Sequence, residues 1–278
     1  MLSPLLALVT LLAISLVAGY GGALLGLGGG ILIVPVLTLG FGVPIRVAIG
    51  ASLVSVVATS AGASAAFVRE GFTNIRVAIT LEVATVVGSL LGSMVTGLIS
   101  PRAVQLIFAV ALAASALASL RIRQMEDQPV VPDRWSKRLG LAGTYPSTTG
   151  ETIAYEVTRV PLGFSLMFVA GATSGLLGIG AGALKVAAMD LGMKLPLKVS
   201  SATSNFMIGV TAAAGALVYL VRGDVSAVIA GPVALGVATG AILGGRALVK
   251  ADTRKIRKIF VIVLVIISME MVRRSVLT

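Results

Sequence analysis

Two apolar stretches of this chain cannot be uninterrupted helices, and the rest of it is arranged around them. The first is residues 16–42, LVAGYGGALLGLGGGILIVPVLTLGFG; the second is residues 168–194, FVAGATSGLLGIGAGALKVAAMDLGMK. Each is apolar enough for a lipid bilayer. Each is also broken near its middle by glycines: Gly26, Gly28, Gly29 and Gly30 in one, Gly178, Gly180 and Gly182 in the other. A glycine costs about 1 kcal/mol against alanine inside a helix, so clusters of this kind interrupt one. Interrupted backbone at membrane depth is tolerated only where protein buries it or where it lines a water-filled cavity. The two breaks are therefore the first place to look for a transport site.

Composition agrees with a membrane setting. The 278 residues are 57% hydrophobic and 12% charged, with a mean hydropathy of +1.04, against about 25% charged in a soluble globule. Several apolar runs reach the roughly 20 residues that span a bilayer core, which gives an all-α polytopic membrane protein. Cysteine and histidine are both missing from the sequence. That excludes disulfides, thiolate and imidazole metal sites and histidine acid–base chemistry, and neither a metal nor a cofactor is expected. The net charge of +11 does not call for nucleic acid. Its basic residues gather at helix ends, where they set topology and meet the lipid bilayer. Residues 1–20 look like a secretory leader, but they lack a Lys or Arg and run straight into the first broken stretch, so they read as a helix of the mature protein.

Sliding the chain along itself by 152 residues aligns its halves without a gap. Gly26, Gly28 and Gly30 fall on Gly178, Gly180 and Gly182; Pro44 meets Pro196, Ser52 meets Ser204, Gly71 meets Gly223, Gly88 and Gly92 meet Gly240 and Gly244, and Phe108 meets Phe260. The chain reads as a first membrane repeat over residues 1–121, a polar linker over 122–160 and a second repeat over 161–278. Each repeat is a broken stretch followed by three helices, at 44–68, 75–98 and 102–121, then at 196–221, 225–248 and 256–271. Small residues four apart on the helices at 75–98 and 225–248 (Gly88 and Gly92; Gly236, Gly240 and Gly244) predict close helix contacts. The linker stretch GTYPSTTGETIAYEVTRV predicts a small surface hairpin.

Charge decides whether each broken stretch crosses the membrane or returns. If it crosses, the repeats are parallel and the Lys and Arg residues divide 11 to 10 between the two faces. If it returns, they divide sixteen to five, with Lys185 left out of both counts. The positive-inside rule selects the second arrangement. The expected fold is two inverted-topology repeats, each a glycine-broken re-entrant hairpin plus three transmembrane helices, with both termini outside the bacterial cytoplasmic membrane and the linker in the cytoplasm. A complete extra crossing by each short arm gives the same parity, so eight or ten membrane segments both fit. Inverted repeats with broken helices place a substrate near the midplane between them. The arms that follow the glycines turn helix N-termini toward that point, which favours an anion.

Among polar residues, Lys185 stands out. It lies three positions after Gly182, where the first repeat has Ile33. A charge at mid-bilayer costs roughly 3 kcal/mol or more, so Lys185 should face protein or water, as the cation of an anionic substrate, as a snorkelling chain, or as a partner of Asp190. The paired segments AIGASL (48–53) and SSATSN (200–205) supply Ser52, Ser200, Thr203, Ser204 and Asn205, which either hold the substrate or bond helix to helix. With the backbone of Gly28, Gly29, Gly30, Gly180, Ala181 and Gly182, they complete the candidate binding set. Glu82 and Asp190 are candidates for coupling transport to an ion. Met189, Met193 and Met207 read as packing residues.

At these residues a family resemblance emerges. ALLGLGGGILIVPVL with its twin GLLGIGAGALKVAAM, and AIGASL with SSATSN, resemble the TauE/SafE family of membrane exporters over nearly the whole chain outside the linker. The second copy departs at Ala181 and Ala187, where the first has Gly29 and Pro35. The resemblance implies export of sulfite or of a small organosulfonate such as sulfoacetate. The residues themselves imply a carrier of some small anion, and another carboxylate or inorganic anion fits them as well. A non-transporting assembly or signalling component has no need of two glycine-broken hairpins and an intramembrane lysine. No enzyme is expected, since no paired acids and no nucleophile with a base are visible. No ATP-binding loop is seen, so an ion gradient is the expected drive. A homodimer is compatible with this reading.

Overall fold

The computed structural model describes residues 4–25, 30–121, 130–146, 151–248 and 253–277. Helix α1 (Pro4–Leu25) leads to a short arm, α2 (Gly30–Pro35), that continues as a π-helical turn over Val36–Gly40. Then follow α3 (Ile45–Arg69), α4 (Ile75–Leu98) and α5 (Pro101–Arg121). The linker contributes α6 (Arg134–Leu139), β1 (Gly143–Pro146) and β2 (Thr152–Tyr155). The second half repeats the pattern: α7 (Val160–Leu177), α8 (Gly182–Ala187) with its π turn Ala188–Gly192, α9 (Leu197–Val221), α10 (Ala227–Leu248) and α11 (Thr253–Leu277). The elements α2 and α8, and α3 and α9, start and end 152 residues apart, so the spacing read from the sequence returns as spacing of structure. The last helix extends beyond the expected 256–271. Arg273 and Arg274 reach back to Glu270 at 2.7 and 3.3 Å, and such pairs three and four residues apart support a helix end.

Local chemistry sets the element ends. Asn74 accepts the Val77 N–H at 3.0 Å and opens α4. Asp133 accepts the Ser136 N–H at 2.7 Å and opens α6. Helix α7 stops at Gly178, whose φ of 70° is open to glycine at little cost. Ala181 then takes φ 49°, a left-handed geometry that costs a residue with a Cβ about 1–2 kcal/mol. The departure from glycine noted in the second copy thus falls on a strained position.

Helix α4 has the reverse of a soluble pattern. Its buried face carries Ala84, Thr85, Gly88, Ser89, Gly92, Ser93 and Thr96, while Ile79, Val83, Val87, Leu91, Met94 and Leu98 are exposed. Small and polar residues inside with large apolar residues outside suit a helix whose solvent is lipid. The expected close contacts are present. A Cβ on Gly88 or Gly92 would stand 2.2 or 2.1 Å from the backbone of α7, and one on Gly236 or Gly240 would stand 2.6 or 2.0 Å from that of α1. Four helices among the described residues are long and apolar enough to cross a membrane: Ile75–Leu98, Val160–Leu177, Leu197–Val221 and Ala227–Gly244.

Helices α3 and α9 run antiparallel through the centre. Leu53 meets Gly215, while further along α3 the Ser60 hydroxyl donates to Asn205 O at 2.6 Å and accepts from Gly209 N at 3.0 Å. Thr158 N, just before α7, donates to Met193 O, just after the second π turn, at 3.2 Å. One apolar core gathers α2, α3, α5, α10 and α11; another joins α4, α7 and α9 to Leu141 and Val157 of the linker. Met189, Met193 and Met207 are fully buried in the second, as packing residues.

The linker hairpin forms where expected, with Gly143 opposite Tyr155 and Pro146 opposite Thr152 in antiparallel register. It is docked on the membrane unit. Asn74 Nδ2 donates to Leu141 O at 2.9 Å and to the Tyr155 hydroxyl at 2.8 Å, and Tyr145 lies between Phe72 and Tyr155.

Candidate transport site

Helix α8 turns Lys185 inward, and the side chain is wholly buried. Its ammonium donates to the Thr211 hydroxyl of α9 at 2.5 Å. That hydroxyl lies 2.6 Å from Glu82 Oε1 on α4 and 3.0 Å from Met207 O, with the Thr85 hydroxyl at 3.3 Å. A threonine hydroxyl has one proton to give, so Thr211 accepts from the lysine and donates to the carboxylate. The lysine and the glutamate are each other's electrostatic partner. Glu82 Oε2 is buried and has no hydrogen-bond partner among the described residues. Ser89 donates to Thr211 O at 2.9 Å and fixes α9 against α4.

The remaining predicted residues take other posts. The Ser52 hydroxyl joins the two breaks, lying 2.7 Å from Gly178 O and 3.1 Å from Gly30 O. Its counterpart Ser204 donates to Gly182 O at 3.2 Å. Gly180 is flanked by Val56 and Ile208. Ser200 points to Leu195 O at 3.5 Å, Thr203 accepts Asn74 N at 3.0 Å, and the Asn205 amide donates to Ser201 O at 3.1 Å. Gly28 and Gly29 lie outside the described residues. Asp190 does not partner Lys185; it is buried in the π turn, where Lys194 is its electrostatic neighbour. Nor does Glu82 pair with the basic end of its own helix, since Arg76 donates to Gly140 O at 3.2 Å. The short arms are six residues each before their π turns.

Sequence reasoning missed Thr211. The signal that marks it is the repeat itself, since Thr59 stands 152 residues earlier. It also missed the arginines at the end of the bundle remote from the linker. Arg46 donates to Ile99 O, the C-cap of α4, at 2.9 Å, and Arg222 to Ser93 O within its last turns at 2.6 Å. Beside them, a cavity of about 420 Å³ is lined by Thr38, Val43, Arg46, Gln105 and Asp224. Among the described residues no group of three or more His, Cys, Asp or Glu gathers for a metal.

Apolar helices around a glycine-rich, hydroxyl-lined interior with a buried lysine define a multi-pass membrane transporter rather than an enzyme. The family model for the sulfite exporter TauE/SafE matches residues 11–271, and the chain belongs to this family. It is similar to the probable membrane transporter protein YunE of Bacillus subtilis (strain 168), with 29% identity over 277 residues, covering 96% of this chain and 98% of that protein. It is also similar to the probable membrane transporter protein YdhB of the same organism, at 25% identity over 241 residues, covering 87% and 89%. No solved structure matches the chain.

Proposed function

We propose that the chain is a secondary carrier that exports a small sulfur-containing anion, sulfite or an organosulfonate such as sulfoacetate, across the bacterial cytoplasmic membrane. Lys185 is the cation that holds it. The observation that carries this is the complete burial of Lys185 against a neutral hydroxyl. A charge inside a membrane is costly, and the fold has no need of one at this place, because Ile33 occupies the matching position and is also buried. The two halves act as inverted repeats, residues 1–121 and 161–278, that alternate access around the breaks; the linker, 122–160, is cytoplasmic and both termini are outside. The antiparallel course of the matching helices α3 and α9 supports inversion. The meeting of Thr158 with Met193 supports a re-entrant second segment.

The test is calorimetric binding to Lys185→Met and Lys185→Arg, after a thermal-shift screen of sulfite, sulfate, sulfoacetate, taurine and lactate on the wild type. Charge-assisted hydrogen bonds contribute about 1.5–3 kcal/mol, so Lys185→Met should bind the best anion one to two decades more weakly while remaining folded. Lys185→Arg keeps the charge and part of the affinity. Unchanged affinity in Lys185→Met removes the lysine from the site. A screen led by lactate makes the chain a carboxylate carrier. A reporter after Thr278 on the cytoplasmic side refutes the inverted arrangement.

A further inference from the structure

The site is electrically closed: one ammonium and one carboxylate share the hydroxyl of Thr211. A monoanion that takes the ammonium leaves Glu82 as an unpaired carboxylate in a buried, low-dielectric place, where a lone charge is strongly disfavoured. Among the described residues, no second cation is at hand. Lys185 from α8 is the charged group acting on Glu82. Helix α7 carries no ionisable residue, and the Lys of α9, Lys198, is exposed near its start. Arg76 is engaged with Gly140, and Asp190 has Lys194 as its neighbour.

We propose that anion binding is linked to proton uptake: as the anion draws Lys185 off Thr211, Glu82 takes up one proton, so that each bound anion brings one H⁺ into the site. This rests on reading Lys185 as the anion's partner. Charge balances in both states. Without cargo the site holds Lys⁺ and Glu⁻; with it, Lys⁺, the anion and a neutral carboxylic acid. Hydrogen bonds balance as well. Without cargo, Lys185 N–H donates to Thr211 Oγ1 and Thr211 O–H donates to Glu82 Oε1. With cargo, the carboxylic O–H of Glu82 donates to Thr211 Oγ1, and the Thr211 O–H turns to Met207 O, which already lies 3.0 Å away. Threonine is suited to this because its hydroxyl both accepts and donates.

The experiment titrates methanesulfonate, which carries a single charge that does not change near neutrality, into the purified full-length protein. Calorimetry in two buffers of different ionisation enthalpy counts the protons exchanged. The expected result is uptake approaching one proton per anion, with affinity falling about tenfold per pH unit once Glu82 is ionised. Glu82→Gln holds the site in its neutral-acid form, so its affinity should stay flat between about pH 5 and pH 7 and exceed that of the wild type at the upper end. Binding with no proton exchanged at any pH overturns the coupling and leaves Lys185 as the anion's partner. Wild-type proton uptake and pH slope persisting in Glu82→Gln also overturns it, because the proton then goes elsewhere. Failure of the folded wild type to bind at any pH overturns the anion site itself, and the coupling with it.

Discussion

Gly175→Ala tests whether the contact between α4 and α7 is as tight as the architecture requires. A Cβ at Gly175 would lie 2.0 Å from Ser89 O and 2.7 Å from Ser93 Oγ. Carbon contacts settle at about 3.5–4 Å, and the obstructing atom is a helix carbonyl that cannot rotate away. The helices must part by roughly 1 Å or more, and overpacking of this kind costs about 1–3 kcal/mol. Gly175 O also accepts from Ser93 Oγ at 3.1 Å and from the Tyr219 hydroxyl at 3.0 Å. Losing two interhelical bonds in a membrane protein adds about 1 kcal/mol. Against these stands the helix preference for alanine, about 1 kcal/mol. The net loss should be about 1–3 kcal/mol, a fall of several degrees in midpoint for a chain of this size. Gly21→Ala is the control: it also lies within a helix, and nothing approaches within 4 Å of its Cβ position. It should gain helix preference without a clash. Heating both variants in one detergent and following the surviving monodisperse fraction by size-exclusion chromatography gives the comparison. If Gly175→Ala is as heat-resistant as Gly21→Ala, the small-residue contact is not what holds α7 on α4.

Two further outcomes are expected. Ser52→Ala should lower thermal stability by about 1–2 kcal/mol, the cost of leaving buried carbonyls without their donor. It should do so by more than Ser204→Ala in the same assay, because the Ser52 proton reaches Gly178 O at 2.7 Å whereas that of Ser204 reaches Gly182 O at 3.2 Å. At the linker, burial raises the pKa of the Tyr155 phenol, against a smaller opposing effect of the Asn74 hydrogen bond. A raised folded-state pKa means stability is full below the ordinary tyrosine value, about 10, and is lost as pH climbs above it. The stability advantage of wild type over Tyr155→Phe should therefore shrink above that pH in thermal melts, and an advantage that is flat with pH would refute it.

Much of the frame could be read in advance because it depends on residue type and spacing. Glycine clusters, small residues four apart and a repeat of 152 residues predict breaks, close contacts and recurring helices, and each of these is a local or periodic signal. The hairpin was equally readable from alternation and a turn. The arrangement around Lys185 was not. Its partner through Thr211 is Glu82, which belongs to the other half of the chain, and no spacing rule links residues brought together by packing alone. Sequence reading instead offered Asp190, five positions along, because nearness in sequence was the information at hand. Ser52 and Ser204 show the same limit. Their residue type fits either a ligand or a backbone carbonyl, and the choice depends on where Gly30, Gly178 and Gly182 point.

The packing also explains why the halves of the sequence are not the halves of the molecule. Helix α4, from the first repeat, packs on α7 and α9 of the second, while α10 of the second packs on α1 and α3 of the first. The matching helices have changed places. One group contains α4, α7, α8 and α9, and the other contains α10, α1, α2 and α3. Lys185, Thr211 and Glu82 all fall within the first group, although they come from both repeats. The positions that match them in the other group are Ile33, Thr59 and Ala234. Thr59 there turns back on its own helix, to Val56 O at 2.9 Å. The duplicated frame therefore holds two places for an ionic pair and fills one of them. The Ser52 hydroxyl on α3 lies 2.7 Å from Gly178 O, at the end of α7, and so ties the apolar group to the filled one.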